Sequence, residues 1–204
     1  TVWVCVLCAI SQADLSVAQE QSVMEVTNHY KRIGTAWSFA DGYAITAAHV
    51  VAGESVVNVT YVGITYRCHV MASYDQYDIA LLRVPHLDVV TPLKIANTVT
   101  QGTPIIIYGF PSGAGYSRSA GYVTGTWSKI QYNSITRYAG TASAKVHGGY
   151  SGGPVVDRRT NKVVGVLTNQ ELSPWMVFGM VVDTDGVFTK CNDFYGLTGY
   201  EMLR

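Results

Sequence analysis

The sequence predicts an all-β protein, a sandwich or a barrel. Three observations carry this. Short apolar or alternating runs, separated by turn residues about every 8–12 positions, fill the chain from the mid-thirties to about residue 190. No helix-rich block and no alternation of strand and helix patterns appears, which disfavours a parallel sheet. The 204 residues, 48% hydrophobic and 14% charged, are enough for one large all-β domain or for two lobes of about 100 residues, with a sizeable core and no sign of disorder.

Val2 to Ile10 is an apolar run followed by Ser11-Gln12-Ala13. Its length and flank resemble a signal-peptide core with a small-residue cleavage site, and it is too short to span a bilayer. With no initiator Met and no basic segment ahead of it, three readings stand: a truncated signal peptide, the tail of a membrane segment in a polyprotein, or a first strand. Thr1 points to a processed or excised chain. Asp14 to Asn28 is the one stretch expected to be helical, on the loose spacing of Leu15, Val17, Ala18, Val23, Met24 and Val26.

Strands are expected at 34–39 and 43–46, joined by the turn pair Asp41-Gly42, then at 56–62, 65–71 and 79–84. Pro85 and Pro92 punctuate the loops that follow. In the second half strands are expected at 103–108, 117–126, 134–138, 153–156, 163–168 and 175–182, with Pro92 to Gly102 as the seam between halves. The two halves show no sequence repeat. The domain expectation is an apolar leader or membrane-proximal segment at 1–22, an N-terminal barrel at 23–97, a C-terminal barrel at 98–190 and a tail at 191–204.

Fourteen basic and fourteen acidic residues balance, and no basic cluster exceeds Lys31-Arg32 or Arg158-Arg159, so a nucleic-acid partner is not expected. The four cysteines are too few and too scattered for a disulfide scaffold. Cys5 and Cys8 have metal-ligand spacing, but no second Cys/His pair follows, so no metal site is expected and they read as apolar filler. Cys68 and Cys191 are free to pair in an oxidising compartment; the sequence leaves this open.

The stretch with most chemical content is His147-Gly148-Gly149-Tyr150-Ser151-Gly152-Gly153-Pro154. Four glycines around one serine describe a tight turn that holds a hydroxyl out and aims backbone N–H groups at one point, as acyl transfer requires. Serine needs a base, and the base needs an orienting partner. Of the five histidines, His29 sits among polar residues, His69 inside a strand, His86 in a loop and His147 in the serine loop. His49 ends Tyr43-Ala-Ile-Thr-Ala-Ala, where small neighbours let a ring pack against the backbone with one edge facing a cleft. Among Asp75, Asp78 and Asp88, Asp78 leads into the apolar Ile79-Ala-Leu-Leu, where a charge is costly unless bonded. It is the best orienter; the other two sit in polar loops.

TAAHV around His49, DIALL at Asp78 and GYSGGPV at Ser151 resemble the three signature blocks of the chymotrypsin-like (trypsin-like) serine peptidases, in that family's order and 29 and 73 residues apart. The resemblance covers about residues 33 to 185. Gly109 to Gly115, followed by Ser119-Ala-Gly-Tyr-Val123, is similar to the HtrA-type and compact viral branches. It implies two six-stranded Greek-key barrels with the active site in the cleft between them. His49 and Asp78 would come from the first barrel and Ser151 from the second, with the N–H groups of Gly149 and Ser151 as oxyanion donors and no cofactor for the chemistry.

Departures from the family narrow the expectation. Val50 follows His49 where animal trypsins carry cysteine. Tyr150 precedes Ser151 where they carry aspartate, so activation by a freed N-terminus is not expected. No PDZ-type segment follows residue 190, which argues against a full HtrA protein. By the resemblance, the pocket for the residue before the scissile bond is lined by Lys145 and by Leu167, Thr168, Asn169 and Gln170, with Thr168 also supporting the catalytic aspartate. Lys145 either favours an acidic residue there or points to solvent. Leu167 stands where Glu/Gln-specific viral proteases carry histidine, and nothing favours cleavage after Arg or Lys.

The reading is therefore a serine endopeptidase acting on polypeptides. The missing Met, the apolar lead and the cysteine-poor barrels favour excision from a viral polyprotein, with self-cleavage in cis and a membrane tether through the N-terminal run; its place would then be the host cytoplasm or a host membrane surface. The alternatives are a secreted or periplasmic bacterial protease of HtrA-like type, and an inactive protease-like binding module.

Overall fold

A computed structural model describes residues 14–31, 33–75, 78–87, 90–96, 99–112, 114–132, 135–169 and 176–179. The N-terminal run with Cys5 and Cys8, Cys191 and the tail lie outside these residues. Twelve strands form two closed barrels. In the first, β1 (Val23–Thr27), β2 (Ile33–Ala40), β3 (Tyr43–Thr46), β4 (Val56–Tyr61), β5 (Ile64–Tyr74) and β6 (Ile79–Arg83) are ordered β1-β2-β3-β6-β5-β4, and β4 pairs back to β1. In the second, β7 (Pro104–Gly109), β8 (Ser117–Tyr132), β9 (Ile135–Ser143), β10 (Pro154–Asp157), β11 (Lys162–Asn169) and β12 (Met176–Gly179) repeat that order, and β10 closes on β7. All these pairings are antiparallel. The halves share a topology without sharing a sequence repeat, because the pattern of apolar positions, not residue identity, sets it.

Period two sorts the side chains into three cores. In β6, Ala80 and Leu82 point into the first barrel with Met24, Val26, Val57 and Val59, while Ile79 and Leu81 face a shared layer between the barrels. In β7, Ile105 and Ile107 fill the second barrel, and Ile106 and Tyr108 join the same shared layer with Trp37, Ile45, Val156 and Val166. This is why these strands read as unbroken apolar runs: both of their faces are covered. The two barrels are thereby cemented along one apolar seam, and the site forms at its edge.

The helical expectation for Asp14 to Asn28 is corrected. Only Val17–Glu20 is helical, capped by a reciprocal box between Ser16 and Gln19, and Val23–Thr27 is strand β1. Met24 and Val26 alternate into the barrel and Val23 faces the seam. Closing the barrel between β2 and β4 outweighs the weak helical spacing. The long hairpin β8–β9 also extends beyond the expected 117–126 and 134–138, on a pairing that shifts register twice. Among the described residues no helix is long and apolar enough to cross a membrane.

Cys68 carries a free thiol inside the first barrel. Burial pushes this thiol up from its ordinary value of 9.0 to about 11. Between these values the unfolded chain releases the proton and the folded chain keeps it, so stability present below pH 9 is lost as pH rises toward 11. The expected outcome is a fall in urea midpoint across this window that is steeper in the parent than in Cys68→Ala. Parallel pH profiles for the two would contradict it.

Candidate active site

His49 is delivered by β3. After Thr46 the chain passes through Ala47 and into a single 3-10 turn, Ala48–Val50. Ala47 and Ala48 are buried, while the His49 side chain is 40% exposed. Methyl-sized neighbours let the turn pack tightly and leave the ring facing outward. Asn28 reinforces the turn by donating its side-chain amide to the Val50 carbonyl at 3.1 Å.

Asp78 caps the entry to β6 and is 1% exposed. Its φ of 54° is in the left-handed region, which aspartate tolerates better than most residues. One carboxylate oxygen accepts the backbone N–H of His49 at 2.9 Å, and the other lies 2.8 Å from His49 Nδ1. A buried carboxylate is costly without such partners. Two bonds to one residue fix both the position of the turn and the plane of the imidazole, and they place the proton on Nδ1 so that Nε2 is the free basic nitrogen. Asp75 is an exposed turn residue whose carbonyl accepts the Asp78 N–H, and Asp88 lies outside the described residues. Of the other histidines, His29 pairs with Glu54, His69 is exposed on β5, His86 lies in a loop with φ 57° and His147 is exposed.

Ser151 lies in the loop between β9 and β10. Gly149 has φ of +104° and Gly152 +86°. A Cβ on Gly149 would sit 2.2 Å from the Phe110 carbonyl oxygen, and one on Gly152 would sit 2.1 Å from that of Thr35. Both positions therefore require glycine for conformation and for space. Gly148 meets nothing within 4 Å and has no such requirement.

Hydrogen bonds fix the loop one peptide at a time. The Gly148 carbonyl accepts from Ser112 N–H at 2.9 Å, and the Tyr150 carbonyl from Gly153 N–H at 2.8 Å. In a trans peptide the N–H points opposite the carbonyl, so these bonds aim the N–H groups of Gly149 and Ser151. Neither N–H has a partner among the described residues. The Gly149 carbonyl accepts from the Thr35 hydroxyl at 2.7 Å. Tyr150 is buried, and its phenol bonds Ser117 Oγ at 2.9 Å at the start of β8. No hydrogen bond between the Ser151 hydroxyl and the His49 ring is present among the described residues; such bonds are often long until substrate binds.

The pocket residues are less gathered. Lys145 is exposed, and Thr168 is buried on β11 beside a bulge between Leu167 and Asn169. Leu167 touches the serine loop directly, through Gly152 N–H to its carbonyl and its own N–H to the Gly153 carbonyl. Gln170 lies outside the described residues. The roles of Thr35, Phe110 and Ser112 escaped the sequence reading. Phe110 and Ser112 lie in the Gly109 to Gly115 segment singled out above, but each of the three acts on a partner far along the chain that no local pattern names.

Comparison with known proteins bears on the family and the fold. The trypsin-like peptidase domain matches residues 34–166. Serine protease Rv3671c of Mycobacterium tuberculosis is 30% identical over 178 residues, covering 81% of this chain, and this chain spans 42% of that relative's length. Serine protease Do-like HtrA of Lactococcus lactis is 28% identical over 151 residues, 69% of this chain and 36% of the relative. Non-structural polyprotein 1A of mink astrovirus 1 is 27% identical over 131 residues, 58% of this chain and 15% of the relative. The crystal structure of the active form of Rv3671c protease superposes with a TM-score of 0.72 at 25% identity, covering 79% of this chain and 77% of that one. The HtrA-type protease AlgW has the same fold, with a TM-score of 0.70 at 21% identity, covering 79% of this chain and 56% of that one. The two-barrel architecture and the match across both barrels make this chain a member of the trypsin-like peptidase family.

Proposed function

We propose that the chain is a serine endopeptidase in which His49, Asp78 and Ser151 form the catalytic triad. The observation that carries this is the double contact of a buried Asp78 with the N–H and Nδ1 of one half-exposed histidine. His49 Nε2 takes the Ser151 proton as Oγ attacks the peptide carbonyl, and the carbonyl oxygen becomes the oxyanion. Gly149 and Ser151 N–H groups bind that oxyanion. His49 returns the proton to the leaving amine, the acyl-enzyme forms, and water reverses the steps. Asp78 holds the tautomer and stabilises the imidazolium without taking the proton.

The bacterial alternative is favoured over polyprotein processing. The matches to bacterial serine proteases cover 81% and 69% of the chain, against 58% for the astrovirus polyprotein, at similar or higher identity. The substrate is a polypeptide. Lys145, Thr168, Asn169 and Gln170 are proposed to line the pocket for the residue before the scissile bond. An inactive binding module is disfavoured because all three triad types are present.

Cleavage of a peptide library tests the reading. Ser151→Ala and His49→Ala are each expected to lower kcat by about 10⁴-fold or more; wild-type rates in Ser151→Ala would overturn the nucleophile assignment. Gly149→Ala is expected to lower kcat by about 10²–10³-fold, since the added methyl collides with the Phe110 carbonyl and moves one oxyanion donor. An unchanged kcat there would remove Gly149 from the oxyanion site. Lys145→Ala is expected to weaken any preference for an acidic residue before the cleaved bond; an unchanged profile assigns Lys145 to solvent.

A further inference from the structure

Thr35 is fully buried on β2 of the first barrel, yet most of its polar contacts reach the second. Its hydroxyl donates to the Gly149 carbonyl at 2.7 Å and accepts from the Phe110 N–H at 3.0 Å. Its backbone N–H donates to the Ser151 carbonyl at 2.7 Å. Its own carbonyl accepts from the Thr46 hydroxyl at 2.7 Å, at the end of the strand that delivers His49. A hydroxyl offers one donor and two acceptor sites, so a single side chain serves both the serine loop and the segment that follows β7. That segment holds the Gly148 carbonyl through Ser112. Gly109 leaves the space: a Cβ there would lie 2.8 Å from Thr35 Oγ1 and 2.7 Å from the Tyr150 ring.

From these contacts we infer that the Thr35 hydroxyl is a positioning residue for the oxyanion site, fixing from the first barrel the peptide that follows Gly149 in the second. The inference rests on the serine endopeptidase reading but makes its own demand. Gly149 is held at a φ of +104°, and the carbonyls of its two flanking peptides are held by different partners: that of Gly148 by Ser112 N–H, its own by Thr35 Oγ1. Without the hydroxyl, the Gly149 carbonyl and the Phe110 N–H both lose their bonds, and the peptide after the residue at φ +104° keeps only the 3.3 Å bond from Tyr150 N–H to the His147 carbonyl. The backbone bond from Thr35 to Ser151 survives, so the serine stays in place while the donor beside it loosens.

Thr35→Val keeps the β-branched shape and removes the hydroxyl; Thr35→Ser keeps the hydroxyl; Thr35→Ala is a second hydroxyl-free variant should valine fail to fold. Steady-state kinetics on one peptide substrate is paired with ¹⁵N-glycine NMR of the Gly149 amide. The expected result for the hydroxyl-free variant is a kcat lower by about ten- to a hundredfold with KM nearly unchanged, as for a misplaced group. The Gly149 amide signal shifts and broadens, and Thr35→Ser restores both. Wild-type kcat and an unmoved Gly149 signal in Thr35→Val would overturn the inference, as would a serine variant as defective as valine. If the parent protein itself cleaves nothing, the endopeptidase reading fails, and the Gly149 signal still decides the role of Thr35.

Discussion

The structure depends on one peptide bonded at both ends. The carbonyl of the Ser151–Gly152 peptide accepts from Thr35 N–H in the first barrel, and its N–H donates to the Leu167 carbonyl in the second. Serine is thereby fixed relative to two domains that meet along an apolar layer. A loop at the edge of one barrel would otherwise inherit every small rotation of that barrel against its neighbour. Tying the same peptide to both converts the seam into a fixed frame, which is what the attack we propose for Ser151 requires. Gly152 is part of the same device, since any side chain there would strike the Thr35 carbonyl.

The electrostatics follow from burial. Asp78 sits at the mouth of a strand whose next four residues are all buried, a place where an unpaired charge is not tolerated. Both of its oxygens bond His49, whose side chain remains 40% exposed. One side chain is held, the other left free to exchange protons. On the serine side the donors we propose are backbone N–H groups, which carry no side-chain entropy and are aimed by neighbouring carbonyl bonds. Tyr150 fits this division. Its ring fills the second barrel and its hydroxyl ties the loop to Ser117, so packing and a neutral hydrogen bond stand where an ion pair is found in animal trypsins.

Much of this was legible in the sequence. Eleven of the twelve strands fall on runs whose alternation or unbroken apolarity is visible in the residues, because a strand buried on one or both faces must show it. β1 was not legible. Val23-Met-Glu-Val-Thr is too short to separate period two from period 3.6, and its strand character comes from its barrel neighbours. The pairing of His49 with Asp78 and the proposed place of Ser151 were suggested by local settings: small residues before the ring, an apolar strand after the carboxylate, glycines around the hydroxyl. Thr35 was not, since its partner Gly149 is 114 residues away and a threonine in a strand has no reason to stand out. Lys145 and Thr168 show the converse. The family pattern names them, but exposure of one and burial of the other do not by themselves gather a pocket.

The most direct measurement of the central claim is the site and dependence of covalent labelling by a fluorophosphonate, mapped by mass spectrometry of the folded protein. A triad predicts one adduct, on Ser151, formed rapidly at neutral pH and nearly abolished by His49→Ala, with heat-unfolded protein unlabelled. No adduct, an adduct on another serine, or labelling indifferent to His49 would contradict the account.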